Sequence, residues 1–276
     1  MTTRSRRPAD ARADRELEVG ARAHYEDPDF YTATYRKRID DVQFYVAEAI
    51  ASGGPVLEYG VGNGRVALPV ARHGVEVVGV DHSRAMLADL KRRLGEEPPE
   101  VRRRVRLREG DMRAVRVRRR FPLVICPFNA ALHLYTRGDV ERFLARVRAH
   151  LAPRGRFVFD VSMPMMKDLA RSPERAYRAP RFVYPGEGVV RYEEYFDYDR
   201  TRQVLFVSMR FEPVARPERR FTLPLAHRQF FPAEMEALLH YNGLEVERAH
   251  GDFQGGPLED DSDVMVFVTR ARRGFA

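Results

Sequence analysis

The run Val56-Leu57-Glu58-Tyr59-Gly60-Val61-Gly62-Asn63-Gly64 is a short apolar strand that carries an acidic residue and breaks into glycines spaced G-x-G-x-G. Glycines at this spacing let a backbone turn sharply and approach a ligand closely. A dinucleotide loop wants a further glycine three residues after the second, where a pyrophosphate passes over a helix N-terminus. That position is Arg65, so the dinucleotide reading weakens. A second apolar strand, Val75 to Val80, ends in Asp81, 17 residues past Gly64. This is near the spacing of about 20 that brings a carboxylate to a ribose diol, whose two hydroxyls one ionised carboxylate can accept. Further on, His133 follows a fourth apolar strand in Phe128-Asn129-Ala130-Ala131-Leu132-His133-Leu134. Histidine titrates near neutrality and suits proton removal; the plainer alternative is a helix-start histidine bonded to backbone.

The elements that must position these residues run in a fixed order. After the helix seeded by Arg65-Val66-Ala67-Leu68 and closed by Gly74, Ser83 is a good N-cap for a helix carrying Met86, Leu87 and Leu90. Val105-Arg106-Leu107 leads to Gly110-Asp111-Met112, and Leu123-Val124-Ile125-Cys126 leads to Pro127-Phe128-Asn129. The strand from Arg156 to Val161 follows a helix stopped at Pro153 and Gly155. Five such segments over residues 56–161 resemble, in order, those of the class I S-adenosylmethionine (SAM) methyltransferases. The resemblance implies a Rossmann-like α/β fold: a seven-stranded, mostly parallel sheet with an antiparallel last strand, plus a small antiparallel β lid. It implies SAM as cofactor, held by Glu58, Gly60, Gly62, Gly64, Asp81, His82, Asp111, Met112 and Phe128, with Asp111 taking the adenine amino group. The F-x-x-x-x-H-L run is similar to a segment of the amino-sugar N-methyltransferases, which makes His133 the catalytic candidate and an amine nitrogen the expected methyl acceptor. Nucleic-acid amino-methyltransferases carry D/N-P-P-Y/F at this strand end, and cytosine C5 enzymes carry Pro-Cys; Cys126-Pro127-Phe128-Asn129 is neither.

Composition narrows the partners. The 276 residues are enough for a full core with an elaboration, and no apolar run approaches the 18 or more residues of a membrane span. A single cysteine excludes an internal disulfide framework and fits a reducing cytoplasm. The net charge of +8 invites a polyanion, but only Lys37, Lys91 and Lys167 of the 48 basic residues are lysines and the arginines are scattered. The densest clusters, Arg102 to Arg104 and Arg116 to Arg120, read as solvated turns around one strand, so nucleic acid is not the expected partner. The eight histidines form no H-x-x-x-H, and no metal site is expected.

Residues 1–20 read as a disordered tail and 21–53 as a helical N-terminal cover, in which Tyr31, Tyr35, Ile39, Val42, Tyr45 and Val46 recur at three or four residues. Residues 54–179 form the SAM-binding core, 180–231 an antiparallel lid of three strands, and 232–276 a last helix and β hairpin that complete the sheet. Tyr25, Tyr31 and Tyr35 are placed to line the donor mouth, where electron-rich faces suit a cation; packing alone explains aromatics at this spacing equally well. Tyr31, Asn129, Tyr195 and Arg228 are the candidate substrate contacts, with Asn129 alternatively a helix N-cap. The expectation is a cytoplasmic, membrane-free enzyme, monomer or homodimer, acting on a small molecule. Its rivals are methylation of RNA or protein, and a silent SAM-binding partner or sensor module.

Overall fold

The computed structural model describes residues 15–272 and Gly274. Among the described residues eleven strands form two sheets. Seven belong to the larger one: β1 (Val56–Tyr59), β2 (Val77–Asp81), β3 (Val105–Glu109), β4 (Phe121–Cys126), β5 (Leu151–Ser162), β10 (Leu244–His250) and β11 (Val264–Ala271). The smaller sheet holds β6 (Tyr177–Tyr184), β7 (Gly188–Asp199), β8 (Val204–Pro213) and β9 (Phe221–Arg228).

The large sheet is ordered β10-β11-β5-β4-β1-β2-β3. Strands β1 to β5 run parallel, and β11 is antiparallel to both of its neighbours. Helices cover both faces, so the inner strands are apolar on consecutive residues and not only on alternate ones. Tyr59, Val124 and Phe159 pack to one side with Val140, Phe143 and Val147 of helix Arg137–His150. Val56, Ile125 and Val158 pack to the other with Tyr45 and Ala49 of helix Asp40–Ser52 and with Leu87 and Leu90 of helix Arg84–Glu96. The chain reverses its direction of travel between β1 and β4, and the crevice beyond the carboxyl ends of those strands is where such sheets take ligands.

The smaller sheet is antiparallel in the order β6-β7-β8-β9, one strand more than the three expected. The extra strand, β6, contains Pro180 and two arginines, Arg178 and Arg181, among its apolar residues. Proline removes a ladder donor and is confined to edges and bulges; β6 is an edge strand, and its register shifts between Ala179 and Phe182, around that proline. The inner face is aromatic: Phe182, Tyr184, Tyr192, Phe211 and Phe221 pack with Phe30 of helix Pro28–Tyr35.

Before the first strand, the helical pattern breaks into a 3-10 turn (Ala23–Tyr25), the helix Pro28–Tyr35 and the helix Asp40–Ser52. Asp27 makes the break. Its Oδ1 accepts the Phe30 amide as an N-cap, Pro28 follows at the first helical position, and its Oδ2 accepts the Tyr184 hydroxyl of β6. Of the stretch expected as a tail, residues 1–14 lie outside the described residues, while 15–20 are helical and end on β9. A Cβ at Gly20 would lie 2.8 Å from that of Ala226, so the two segments touch backbone to backbone. Arg102 to Arg104 also belong to a short helix, Pro99–Arg104, and not to a turn. Among the described residues no helix is long and apolar enough to cross a membrane.

Candidate active site

A cavity of about 550 Å³ opens at the switch point. Its floor is the glycine loop. Gly60 has φ +68, and a Cβ there would stand 2.7 Å from that of Ala130, so only glycine lets the loop pass the turn after β4. Gly62 donates its amide to Asp81 Oδ2 at 2.7 Å, and the Ser83 amide donates to Oδ1 at 2.8 Å. Asp81 thus ties the end of β2 to the loop. A carboxylate has about four lone-pair sites, so both oxygens keep room for hydroxyl donors. Ser83 in turn caps the helix Arg84–Glu96 through Met86. Gly64 is not part of the lining; its Cβ would fall 2.3 Å from Leu90, and it serves helix-to-loop packing.

Glu58 lies under the loop with 2 % of its surface exposed, and its Oε2 has no partner among the described residues. Burial pushes its carboxyl well above the ordinary range, Arg65 opposes this, and Asp81 adds to it. An unpaired carboxylate oxygen at a cavity wall fits a cationic group of a ligand. Arg65 itself is held by a two-pronged ion pair to the fully buried Asp41, and its guanidinium lies 4.3 Å from the Phe128 ring centroid. At the other end of the cavity His82, Asp111 and Met112 join the lining. Asp111 is gripped by Arg113, which holds its carboxyl below the usual range and also bonds Asp139 at 2.7 Å.

His133 lines the cavity from the 3-10 turn Ala130–His133, which packs against the glycine loop at Gly60. Both ring nitrogens are engaged: Nε2 is 2.8 Å from the Tyr25 hydroxyl and Nδ1 is 2.9 Å from that of Tyr135. The proton assignment follows from the chain of partners. Tyr135 donates to the Ala226 carbonyl at 2.8 Å, so it receives Nδ1–H, and Nε2 accepts from Tyr25. Burial among Tyr25, Tyr135 and His227 pushes the imidazole down to about 3, with His82 and His24 adding to the shift, so it is neutral at any working pH. His24 is likewise pushed down by burial, to about 4.

Of the expected site residues, Glu58, Gly60, Gly62, Asp81, His82, Asp111, Met112, Phe128, Tyr31 and His133 meet in this one cavity. Asn129, Tyr195 and Arg228 do not. Asn129 neither faces the cavity nor caps a helix with its side chain: its Oδ1 accepts the Ser162 amide at 2.6 Å, and its Nδ2 donates to Ser162 Oγ at 2.9 Å. Arg228 bonds Glu234, Gln203 and the Tyr135 carbonyl where β9 meets the last long helix, and Tyr195 lies under Arg210 on β7. Residues not expected in the site from the sequence complete it: Arg65, Tyr135, and the N-terminal Glu18 and Arg22. Tyr135 carried a faint signal, a polar aromatic two residues past the histidine, but its bond to β9 spans 91 residues and leaves no mark in spacing.

Residues 56–155 match the family model for a methyltransferase domain. No curated protein sequence matches the chain. Among solved structures, it is similar to the CcbJ methyltransferase from Streptomyces caelestis, with 26% identity over 84% of this chain and 95% of that one and a TM-score of 0.72. An S-adenosylmethionine-dependent methyltransferase from Clostridium acetobutylicum shares the fold at TM-score 0.70, with 16% identity over 88% and 98% of the two chains. CalS10, an amino pentose methyltransferase from Micromonospora echinaspora solved with SAM bound, shares it at TM-score 0.64, with 22% identity over 98% and 100%. Residues 56–155 are thus a methyltransferase domain, matched from β1 into β5, and the sheet order and switch-point cavity described above are those of the class I SAM-dependent methyltransferase fold.

Proposed function

We propose that the enzyme methylates an amine nitrogen of a small molecule, and that the cavity holds SAM with its methionine end over Glu58 and its ribose on Asp81. The observation that carries this reading is the partnerless Oε2 of Glu58 beneath the glycine loop, which fits the donor's ammonium. SAM supplies a sulfonium-bound methyl group, the electrophile. The chain's own residues position and dehydrate. Asp81 accepts the ribose hydroxyls, Asp111 and Met112 border the adenine, and Tyr31, Tyr25 and Phe128 screen the reacting end from water.

The amine reading rests on three supports. The cavity is lined by more acids (Glu18, Glu58, Asp81, Asp111, Asp139) than bases (Arg22, Arg65, Arg113), and so suits cations better than polyanions. The F-x-x-x-x-H-L run resembles the amino-sugar enzymes, and CalS10 and the glycopeptide N-methyltransferase MtfA share the fold. An imidazole held near 3 is a poor general base, so His133 acts here by accepting the Tyr25 O–H and leaving that oxygen's lone pairs to the acceptor amine. A free amine needs no base, because its lone pair forms the new N–C bond and the product leaves as an ammonium ion. We place the small sheet as the acceptor-side lid and the enzyme in the cytoplasm.

Label transfer tests this. Incubating the protein with methyl-labelled SAM and a metabolite extract, beside RNA and protein fractions, is expected to label a basic small molecule. Label confined to RNA, with binding that weakens steeply as salt rises, would replace the amine reading with the RNA one.

A further inference from the structure

The strand β5 reads Phe157-Val158-Phe159-Asp160-Val161, and one carboxylate interrupts an otherwise apolar run at the centre of the sheet. Asp160 is 1 % exposed, and its Oδ2 has no partner among the described residues. Its Oδ1 takes two donors, the Tyr45 hydroxyl at 2.6 Å and the Phe128 amide at 2.7 Å.

Phe128 and Asn129 have φ +56 and +64, two successive side-chain residues in the left-handed region. Such conformations are disfavoured and persist only where the surroundings over-determine them, typically at functional sites. Here three clamps do so, all from β5: Asp160 Oδ1 on the Phe128 amide, the Asp160 carbonyl on the Asn129 amide at 3.3 Å, and Ser162 on the Asn129 side chain. The turn leads directly into Ala130–His133, with the Leu132 amide bonded back to the Asn129 carbonyl at 2.9 Å. Its seat leaves little play, because Ala130 already touches the space that a Cβ at Gly60 would fill.

We propose that Asp160 is a positioning residue for methyl transfer: from inside the core it fixes the left-handed Phe128–Asn129 turn and thereby sets where Phe128 and His133 stand at the cavity wall. The inference rests on reading that cavity as the reaction site. An ionised acceptor makes shorter, stronger bonds than a neutral one, which accounts for a carboxylate in a place where burial opposes its charge. That burial raises its carboxyl to about 6, against the two hydrogen bonds that lower it. The groups that face it are Tyr45 and Asp41 from the helix Asp40–Ser52, Arg38 just before that helix, Arg65 from the glycine loop and Cys126 from β4. Its partner on β11 is the apolar Val266.

Nuclear magnetic resonance on the full chain tests the proposal without a known acceptor, with S-adenosylhomocysteine as the probe ligand. In the wild type the Phe128 amide is expected to exchange slowly and to shift with a midpoint near pH 6, the position of the Asp160 carboxyl. Asp160→Ala is expected to speed that exchange about tenfold or more and to move the His133 ring signals, while probe affinity stays within about threefold. Asp160→Asn keeps a carbonyl oxygen for both donors, so it should restore the slow exchange and the His133 signals and abolish the pH shift. A Phe128 amide that exchanges as fast as an exposed loop in the wild type would overturn the proposal. So would unmoved His133 signals in Asp160→Ala, or an Asn variant as disturbed as the Ala one. If Asp160→Ala does not fold, the wild-type exchange and the Asn variant decide. Loss of probe binding by the wild type would instead sink the methyl-donor reading and leave the exchange results interpretable.

Discussion

The two ends of the cavity are built differently. At the donor end the working groups are neighbours in sequence: a glycine loop of five residues and a carboxylate at the end of the adjacent strand, joined by the Gly62 and Ser83 amides. At the acceptor end they are side chains drawn from far apart. Tyr25 meets His133 across 108 residues, and Tyr135 meets Ala226 across 91. A site made of local backbone is fixed once β1 and β2 pair. A site made of distant side chains depends on the whole fold, and a substitution there should damage chemistry before it damages donor binding.

The sharpest break in that comparison should come at Asp81. Asp81→Ala removes the carboxylate proposed to accept two ribose hydroxyls and leaves the Gly62 and Ser83 amides unpaired, so calorimetry should show S-adenosylhomocysteine affinity lower by about two to three powers of ten. Unchanged affinity in a folded variant would remove Asp81 from the ribose. His133→Ala should do the reverse, with turnover lower by about one to two powers of ten, the usual scale of a misplaced reacting group, and donor affinity nearly intact. A loss of about three or four powers, independent of pH, would instead restore the role of general base. Tyr25→Phe keeps the ring and removes the hydroxyl, so kcat is expected to fall about fivefold to tenfold with the donor constant unmoved.

The smallest effect concerns stability. Because folding depresses His24 to about 4 from 6.5, the unfolded chain binds the extra proton, and stability present above pH 6.5 is lost as pH falls toward 4. For a group this buried the contribution is on the order of 3 kcal/mol at the acid end. Asp160 works in the opposite sense: raised from 3.8 to about 6, it favours the folded state as pH falls through that window and offsets part of the loss. Thermal melts of His24→Phe should therefore be flatter between pH 6.5 and 4 than those of the wild type. Parallel curves would show that His24 is not held neutral.

The same contrast explains what could be read from the sequence. The strands β1, β2 and β4 stand out because each is buried on both faces, and the donor residues sit at their ends. The edge strand β6 was hidden by Pro180 and by Arg178 and Arg181, residues that an edge tolerates and a central strand does not. Asn129 invited a substrate contact or a cap, and only its left-handed backbone reveals why its amide turns back to Ser162. The hydroxyl partners of His133 had no signature at all, since hydrogen bonds between distant segments leave no periodicity. Asp160 was visible as a charge inside an apolar strand, but what it holds was not.

Asp27 has a kinetic consequence. Through its two oxygens and the stacking of Phe30 on Tyr184 at 4.6 Å, the segment that directly follows the roof of the cavity anchors the small sheet. The roof itself, Leu17 to Tyr25, rests on β9 at Gly20 and on His133 at Tyr25. These shared contacts predict that the two products leave by one opening and not through separate gates. Turnover limited by that opening would respond to Asp27→Ala with faster release of S-adenosylhomocysteine and of the methylated product together.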